Sequence, residues 1–229
     1  MTNERSEVFK RAMGYPYPVP AHSFVQFGHG TFDPAEVDVD WEERLCLLAY
    51  GSNAAPKALA HKLALSADPV LVVPAWLRDF DVVYSAHISP YGSVPATLQH
   101  CPGTVARVHV VHVTKEQLAL VTATEPNYEP TLLASVDCRL DGGELVGELS
   151  AYISRHGCLL IDGSEVALAA VQSTGRNFAE MSEPQVQEYV RDSLCPGESI
   201  EGFVLGNVTD PALAEARTAA LARRQPALS

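Results

Sequence analysis

"RLCLLAYGSNAAPKALAHKL", residues 44–63, climbs through a compact apolar run to Tyr50, breaks into Gly51-Ser52-Asn53 and resumes after Pro56. A short apolar run bounded by turn residues reads as an interior strand over 45–50. The next segment, "PKALAHKLAL" over 56–65, reads as a helix with Pro56 in its first turn. A strand, a tight loop and a helix therefore follow one another within twenty residues. Gly, Ser and Asn are ordinary turn formers. The same residues also let successive backbone N–H groups converge on an anion near a helix start. This stretch alone leaves both readings open.

On either side of it the chain alternates strand-like and helix-like stretches. Residues 69–85 read as two strands, or one bent strand, interrupted at Pro74; 95–100 and 103–113 are β-rich. "LLASVDCRL", "DGG" and "ELVGELSAYIS", residues 132–154, read as a hairpin. After residue 163 the pattern turns helical, most clearly over 182–194 and 211–224. Residues 1–44 are rich in proline, aromatics and acidic groups, and read as an irregular arm with a short helix over 4–13. The expected fold is α/β (α+β), with a mixed, curved or barrel-like β-sheet and flanking helices. The expected division is an arm over 1–44, a domain over 45–163 and a mostly helical extension over 164–229 packed on it.

Composition narrows the function classes. The 229 residues are 47% hydrophobic, enough for a full core, and carry a formal net charge of −12 with only 16 Lys and Arg. That balance, with no basic stripe, argues against nucleic acid as a partner. It does not exclude a small anion held by backbone N–H groups. Five dispersed cysteines without a C-x-x-C pair read as reduced thiols of a cytoplasmic protein. No apolar stretch approaches membrane-spanning length, and the start lacks a signal-peptide apolar region, so no membrane association is expected. His109 and His112 are three apart in a strand and point to opposite faces, so no metal site is expected there. Neither a G-x-S-x-G elbow nor a Gly-rich nucleotide loop is present.

The second informative stretch is "VHVTKEQLALVTATEPNYEP", residues 110–129. Thr114 followed by Gln117 is a capping-box pattern, so a helix is expected to begin at Lys115 and to end before Pro126. Glu125 then stands at the helix C-terminus, after an uncharged run. A partly desolvated carboxylate at the negative end of a helix holds its proton to higher pH than a free one, which suits general-base work near neutrality. A solvated helix-end residue is the plainer alternative.

Taken together, the Y-G-S-N loop at 50–53 and the downstream glutamate resemble the gamma-glutamylcyclotransferase-like superfamily. Leu118, Val121 and Glu125 fall at the offsets of that family's "L-x-x-L-D-x-x-E-G" segment. Residues 95–111 resemble its "A-T-I…P-G…V-x-G-x-V" strand pair, and "SAYIS" around Tyr152 its returning strand. The resemblance covers about residues 45–155. Arg107 departs from a family glycine, the aspartate before the glutamate is absent, and Pro126 replaces the following glycine.

The resemblance implies a small-molecule γ-glutamyl substrate and release of 5-oxoproline by attack of the substrate's own α-amine. It implies no cofactor and no metal. Glu125 would be the general acid/base; Gly51, Ser52 and Asn53 would hold the glutamyl end; Tyr50 and Tyr152 would wall the pocket. A non-catalytic binding or regulatory module with the same fold is the alternative, and the exact γ-glutamyl compound, the oligomeric state and protein partners stay open.

Overall fold

The computed structural model describes residues 2–223. The arm begins as a helix, α1 (Thr2–Met13), with Glu4 in its first turn and Lys10 and Arg11 in its last, charges that complement the helix dipole. It is less irregular than expected, because it next forms a hairpin of two strands, β1 (Phe24–Phe27) and β2 (Gly30–Phe32). Phe24 and Val25 are buried, and this pins the arm to the body.

The quoted stretch folds as read: β3 (Leu45–Ala49), a one-turn 3-10 helix over Ser52–Ala54, then α2 (Pro56–Lys62). Two long strands follow, β4 (Val70–Tyr84) and β5 (Ala96–Val113), and then α3 (Lys115–Ala123). Further along lie β6 (Tyr128–Leu133), β7 (Cys138–Leu140), β8 (Leu149–Ser154) and β9 (Leu160–Ile161). The last strands are β10 (Ser164–Leu168), β11 (Ser173–Thr174) and β12 (Ala179–Met181). The chain closes with α4 (Glu183–Leu194), α5 (Ile200–Thr209) and α6 (Pro211–Arg223). Residue 224 of the expected last helix, and 224–229 of the expected extension, lie outside the described residues.

The fold is α+β, with a mixed sheet in the order β12-β10-β4-β5-β3-β8-β6. Its spine is the antiparallel pair β4–β5. The outer edge of β4 is covered in turn by β1, β7 and β10, while β3 and β11 line the far edge of β5. The expected break at Pro74 does not occur. Pro74 sits where that outer edge passes from β1, paired through Val72, to β7, which begins at Ala75. Its carbonyl still accepts from the Asp141 N–H at 3.1 Å, and its missing N–H costs no ladder bond there. The irregularity lies instead at Asp79, in the left-handed region at φ 62°, where the register shifts between Arg78 and Phe80. The Asp79 carboxylate accepts from the Gly103 N–H at 2.8 Å, and Gly103, at φ 85°, supplies the matching turn on β5.

The segment expected as a hairpin over 132–154 does return antiparallel: Leu132 and Leu133 of β6 pair with Ser150 and Leu149 of β8. The DGG turn is closed by Leu140 N–H to the Glu144 carbonyl at 2.9 Å and Val146 N–H to the Cys138 carbonyl at 2.9 Å, while β7 also joins β4. One other expectation changes. The region after residue 163 is not helical at first. β10 pairs with β4 and β12 with β10, so the sheet continues across the expected boundary at 163 before the helices begin.

Alternation along β3 divides the core. Leu47 and Ala49 pack with Leu59, Val72, Val111 and Val121 under α2 and α3. Leu48 faces the other way and packs with Val108, Val110 and the helical residues Val186, Phe203 and Leu221. The loop after Ala49 therefore leaves the sheet where the two layers meet.

Candidate functional site

At that point a cavity of about 130 Å³ opens, lined by the loop at 50–53, the end of α2, the segment after α3 and the arm. Local sequence explains each wall. Leu59 and Leu63 are buried four residues apart, and this turns Lys62, in the last turn of α2, beside the loop. The Thr114–Gln117 capping box forms as expected, with Gln117 N–H to Thr114 Oγ1 at 3.1 Å and Thr114 N–H to Gln117 Oε1 at 2.9 Å. The helix it starts ends at Ala123 with Thr124 as its C-cap, and the Glu125 N–H donates to the Thr122 carbonyl at 3.0 Å.

Glu125 and Asn53, placed together by the sequence, do meet. Asn53 Nδ2 donates to Glu125 Oε1 at 2.9 Å. A third residue, not singled out in the sequence, completes the arrangement. Lys62 Nζ donates to Asn53 Oδ1 at 2.7 Å and also forms a short ion pair with Glu125 Oε1. The side chains of Lys62 and Glu125 are only 9% and 13% exposed. Glu125 Oε1 is thus held by two donors, while Oε2 has no donor among the described residues. Among the described residues that line the cavity, Glu125 is the one carboxylate. The Lys62 ammonium, rather than the end of α3, is the charge in direct contact with it.

The loop differs from a flexible turn. Gly51 has an extended backbone, φ −132°, that other residues also adopt. Glycine is required there because a Cβ would stand 2.3 Å from the Tyr15 hydroxyl. Ala54 and Ala55 donate their N–H groups to the carbonyls of Gly51 and Ser52. The N–H groups of Gly51, Ser52 and Asn53 find no acceptor among the described residues, and neither does the Ser52 hydroxyl. Helix dipoles add little here, since one helical piece spans three residues and α2 only seven.

Tyr50 and Tyr152 both line the cavity, but their hydroxyls are engaged. Tyr50 donates to the Tyr152 carbonyl, and the Tyr152 hydroxyl meets Thr122 Oγ1 at 2.7 Å. They act as walls whose positions the fold fixes. Tyr15 and Tyr128, absent from the sequence-based set, are anchored on one residue: the Ala96 N–H donates to Tyr15 at 3.0 Å, and Tyr128 donates to the Ala96 carbonyl at 2.8 Å. Burial holds the phenols of Tyr15, Tyr50 and Tyr128 far above the ordinary tyrosine range, so these walls stay neutral. His87 packs edge-on against Tyr128, and its Nδ1 lies 2.6 Å from Ser85 Oγ. Burial, and then the nearby His156, lowers its pKa to about 3, so it too is uncharged. Arg107 stands outside this cavity, paired with Asp141 and stacked on Trp76 in the wall of a larger neighbouring one.

No family model matches the chain, and no curated protein matches it. Similar solved structures include a gamma-glutamyl cyclotransferase, 20% identical over 49% of this chain and 67% of that one, with a TM-score of 0.37. An Arabidopsis thaliana protein known from its solution structure is 23% identical over 52% of this chain and 66% of its own, with a TM-score of 0.38. A human protein described as uncharacterized is 14% identical over 82% of this chain and 92% of its own, with a TM-score of 0.39. Similarities at this level leave the functional reading to rest on the residues of the site.

Proposed function

We propose that the cavity catalyses intramolecular cyclisation of a γ-glutamyl compound, releasing 5-oxoproline and a free amine. The observation that carries this reading is a single carboxylate in a tyrosine-walled cavity, fixed through Oε1 and free at Oε2, beside a loop with three unengaged N–H groups. No enzyme nucleophile is called for, because the substrate brings both its amine and its γ-carbonyl.

In this reading the N–H groups of Gly51, Ser52 and Asn53 hold the glutamyl end. Glu125 Oε2 takes a proton from the substrate's α-ammonium. The freed amine attacks the γ-carbonyl carbon and forms the five-membered ring, and the carbonyl π electrons move to oxygen. As the carbonyl re-forms, the original C–N bond breaks, and Glu125 returns its proton to the leaving nitrogen. The ring nitrogen, left with one proton too many for a lactam, gives that proton up through Glu125 to the departing amine, which leaves as an ammonium ion. Lys62 keeps the carboxylate in place, and its positive charge near the α-nitrogen favours the neutral, nucleophilic amine. Orientation of the folded substrate is worth about 7–11 kcal/mol in well-aligned cases, and proton transfer adds about 10²–10⁴-fold.

The test is to incubate the protein with γ-glutamyl amino acids, γ-glutamylamines and glutathione, and to measure 5-oxoproline and amine together. Equal release of the two from at least one compound is expected. Folded protein that binds such compounds but releases neither product would be a binding module instead.

A further inference from the structure

The arm carries to the cavity a cation that no carboxylate of the described residues pairs with. Arg11, in the last turn of α1, lines the same cavity as Glu125. Its guanidinium lies over the Tyr91 ring, 3.7 Å from the centroid. The neighbouring carboxylate on α1, Glu7, is paired with Lys10 instead, at 3.1 Å. Among the described residues Arg11 has no carboxylate partner, although the chain carries a net charge of −12. Beside it stands Tyr17, whose buried hydroxyl interacts with the Arg11 guanidinium itself and with no other hydrogen-bonding group among the described residues. Tyr17 also holds a left-handed backbone, φ 75°, a conformation that is costly for a tyrosine and that persists only where its surroundings impose it. A guanidinium without a carboxylate, with a phenol hydroxyl beside it in the same cavity, is complementary to an anion.

The glutamyl end does not need them. Once its α-ammonium meets Glu125, the α-carboxylate on the same carbon lies within reach of Lys62 and the loop N–H groups. Arg11 forms no ion pair with Glu125, which is paired with Lys62, and it reaches the cavity from α1 rather than from the loop or α2, so it is left for the other end of the substrate. We propose that Arg11 and Tyr17 form a subsite for a carboxylate on the leaving amine. The substrate would then be a γ-glutamyl amino acid or peptide rather than a simple γ-glutamylamine. This rests on the cyclotransferase reading of the same cavity.

The experiment compares γ-glutamylglycine with γ-glutamylmethylamine, which lacks only the distal carboxylate, by calorimetric binding and by 5-oxoproline release. Wild type, Arg11→Gln, Arg11→Lys and Tyr17→Phe are run in parallel. A charge-assisted contact at a partly solvated site should favour the glycine compound by about tenfold in Kd and KM. That preference should collapse in Arg11→Gln and partly return in Arg11→Lys. Equal binding and equal turnover of the two compounds by wild type would overturn the subsite and leave the reaction standing. A tenfold binding preference that depends on Arg11, without 5-oxoproline from either compound, would overturn the reaction and leave the subsite standing. Absence of both binding and release would overturn both.

Discussion

Replacing Lys62 by methionine keeps most of the side chain's bulk and removes one charge. The structure gives that charge two tasks, a bond to Asn53 Oδ1 at 2.7 Å and an ion pair with Glu125. Without it, a carboxylate only 13% exposed keeps a single donor, Asn53 Nδ2, and Asn53 is itself free to turn. Breaking a buried pair by removing one partner costs about 3–5 kcal/mol, and the slight exposure of both groups here points to the lower end, about 3 kcal/mol. A base displaced by a fraction of an ångström should also slow cyclisation by about 10²-fold. Urea unfolding and kcat/KM for 5-oxoproline release measure the two effects. Lys62→Met combined with Glu125→Gln should be more stable than Lys62→Met alone, because no charge is then left unpaired. Unchanged stability and unchanged kcat/KM in Lys62→Met would refute the claim that Lys62 holds the base.

Other changes follow from the same geometry. Gly51→Ala places a methyl 2.3 Å from the Tyr15 hydroxyl and should cost about 1–3 kcal/mol in urea unfolding. Adding Tyr15→Phe should recover part of that loss, since the next nearest ring atom lies at 3.4 Å. Glu183 is buried; its Oε1 accepts from the Val94 N–H and from Gln187, and Oε2 has no partner. Burial pushes its pKa up from the ordinary 4.5 to about 8, so the folded state holds a proton that the unfolded state gives up near 4.5. This contribution is present in full below the unfolded value and is lost as pH rises through about 8. The Tm of wild type relative to Glu183→Gln should therefore fall across that window, and parallel Tm curves for the two proteins would contradict it.

The sequence exposed those parts whose local chemistry decides their structure. The apolar run at 45–49 and the turn after it fix β3 and the loop, Pro56 starts α2, and Thr114 with Gln117 starts α3. Long-range pairing was hidden. Pro74 looked like a break because nothing local shows that its N–H edge lies between two neighbouring strands, and Asp79, the actual irregularity, depends on Gly103 across the hairpin. β10 and β12 are short; β10 is fixed by β4, distant in sequence, and β12 in turn by β10. The site divides in the same way. Glu125 and the loop stood out by position, but Lys62 joins them across 63 and 9 residues of chain, and only packing of Leu59 and Leu63 turns it inward. Tyr15, Tyr17 and Arg11 come from an arm outside the family resemblance, and no motif marked them.

The most direct test is the rate of 5-oxoproline release by wild type and by Glu125→Gln on the best γ-glutamyl substrate, with folding of both checked by circular dichroism. Glutamine keeps the shape and the Asn53 contact but cannot take the proton, so the rate should fall by about 10²–10⁴-fold while the substrate still binds. A folded Glu125→Gln that turns over at the wild-type rate would contradict the assignment of Glu125 as the base.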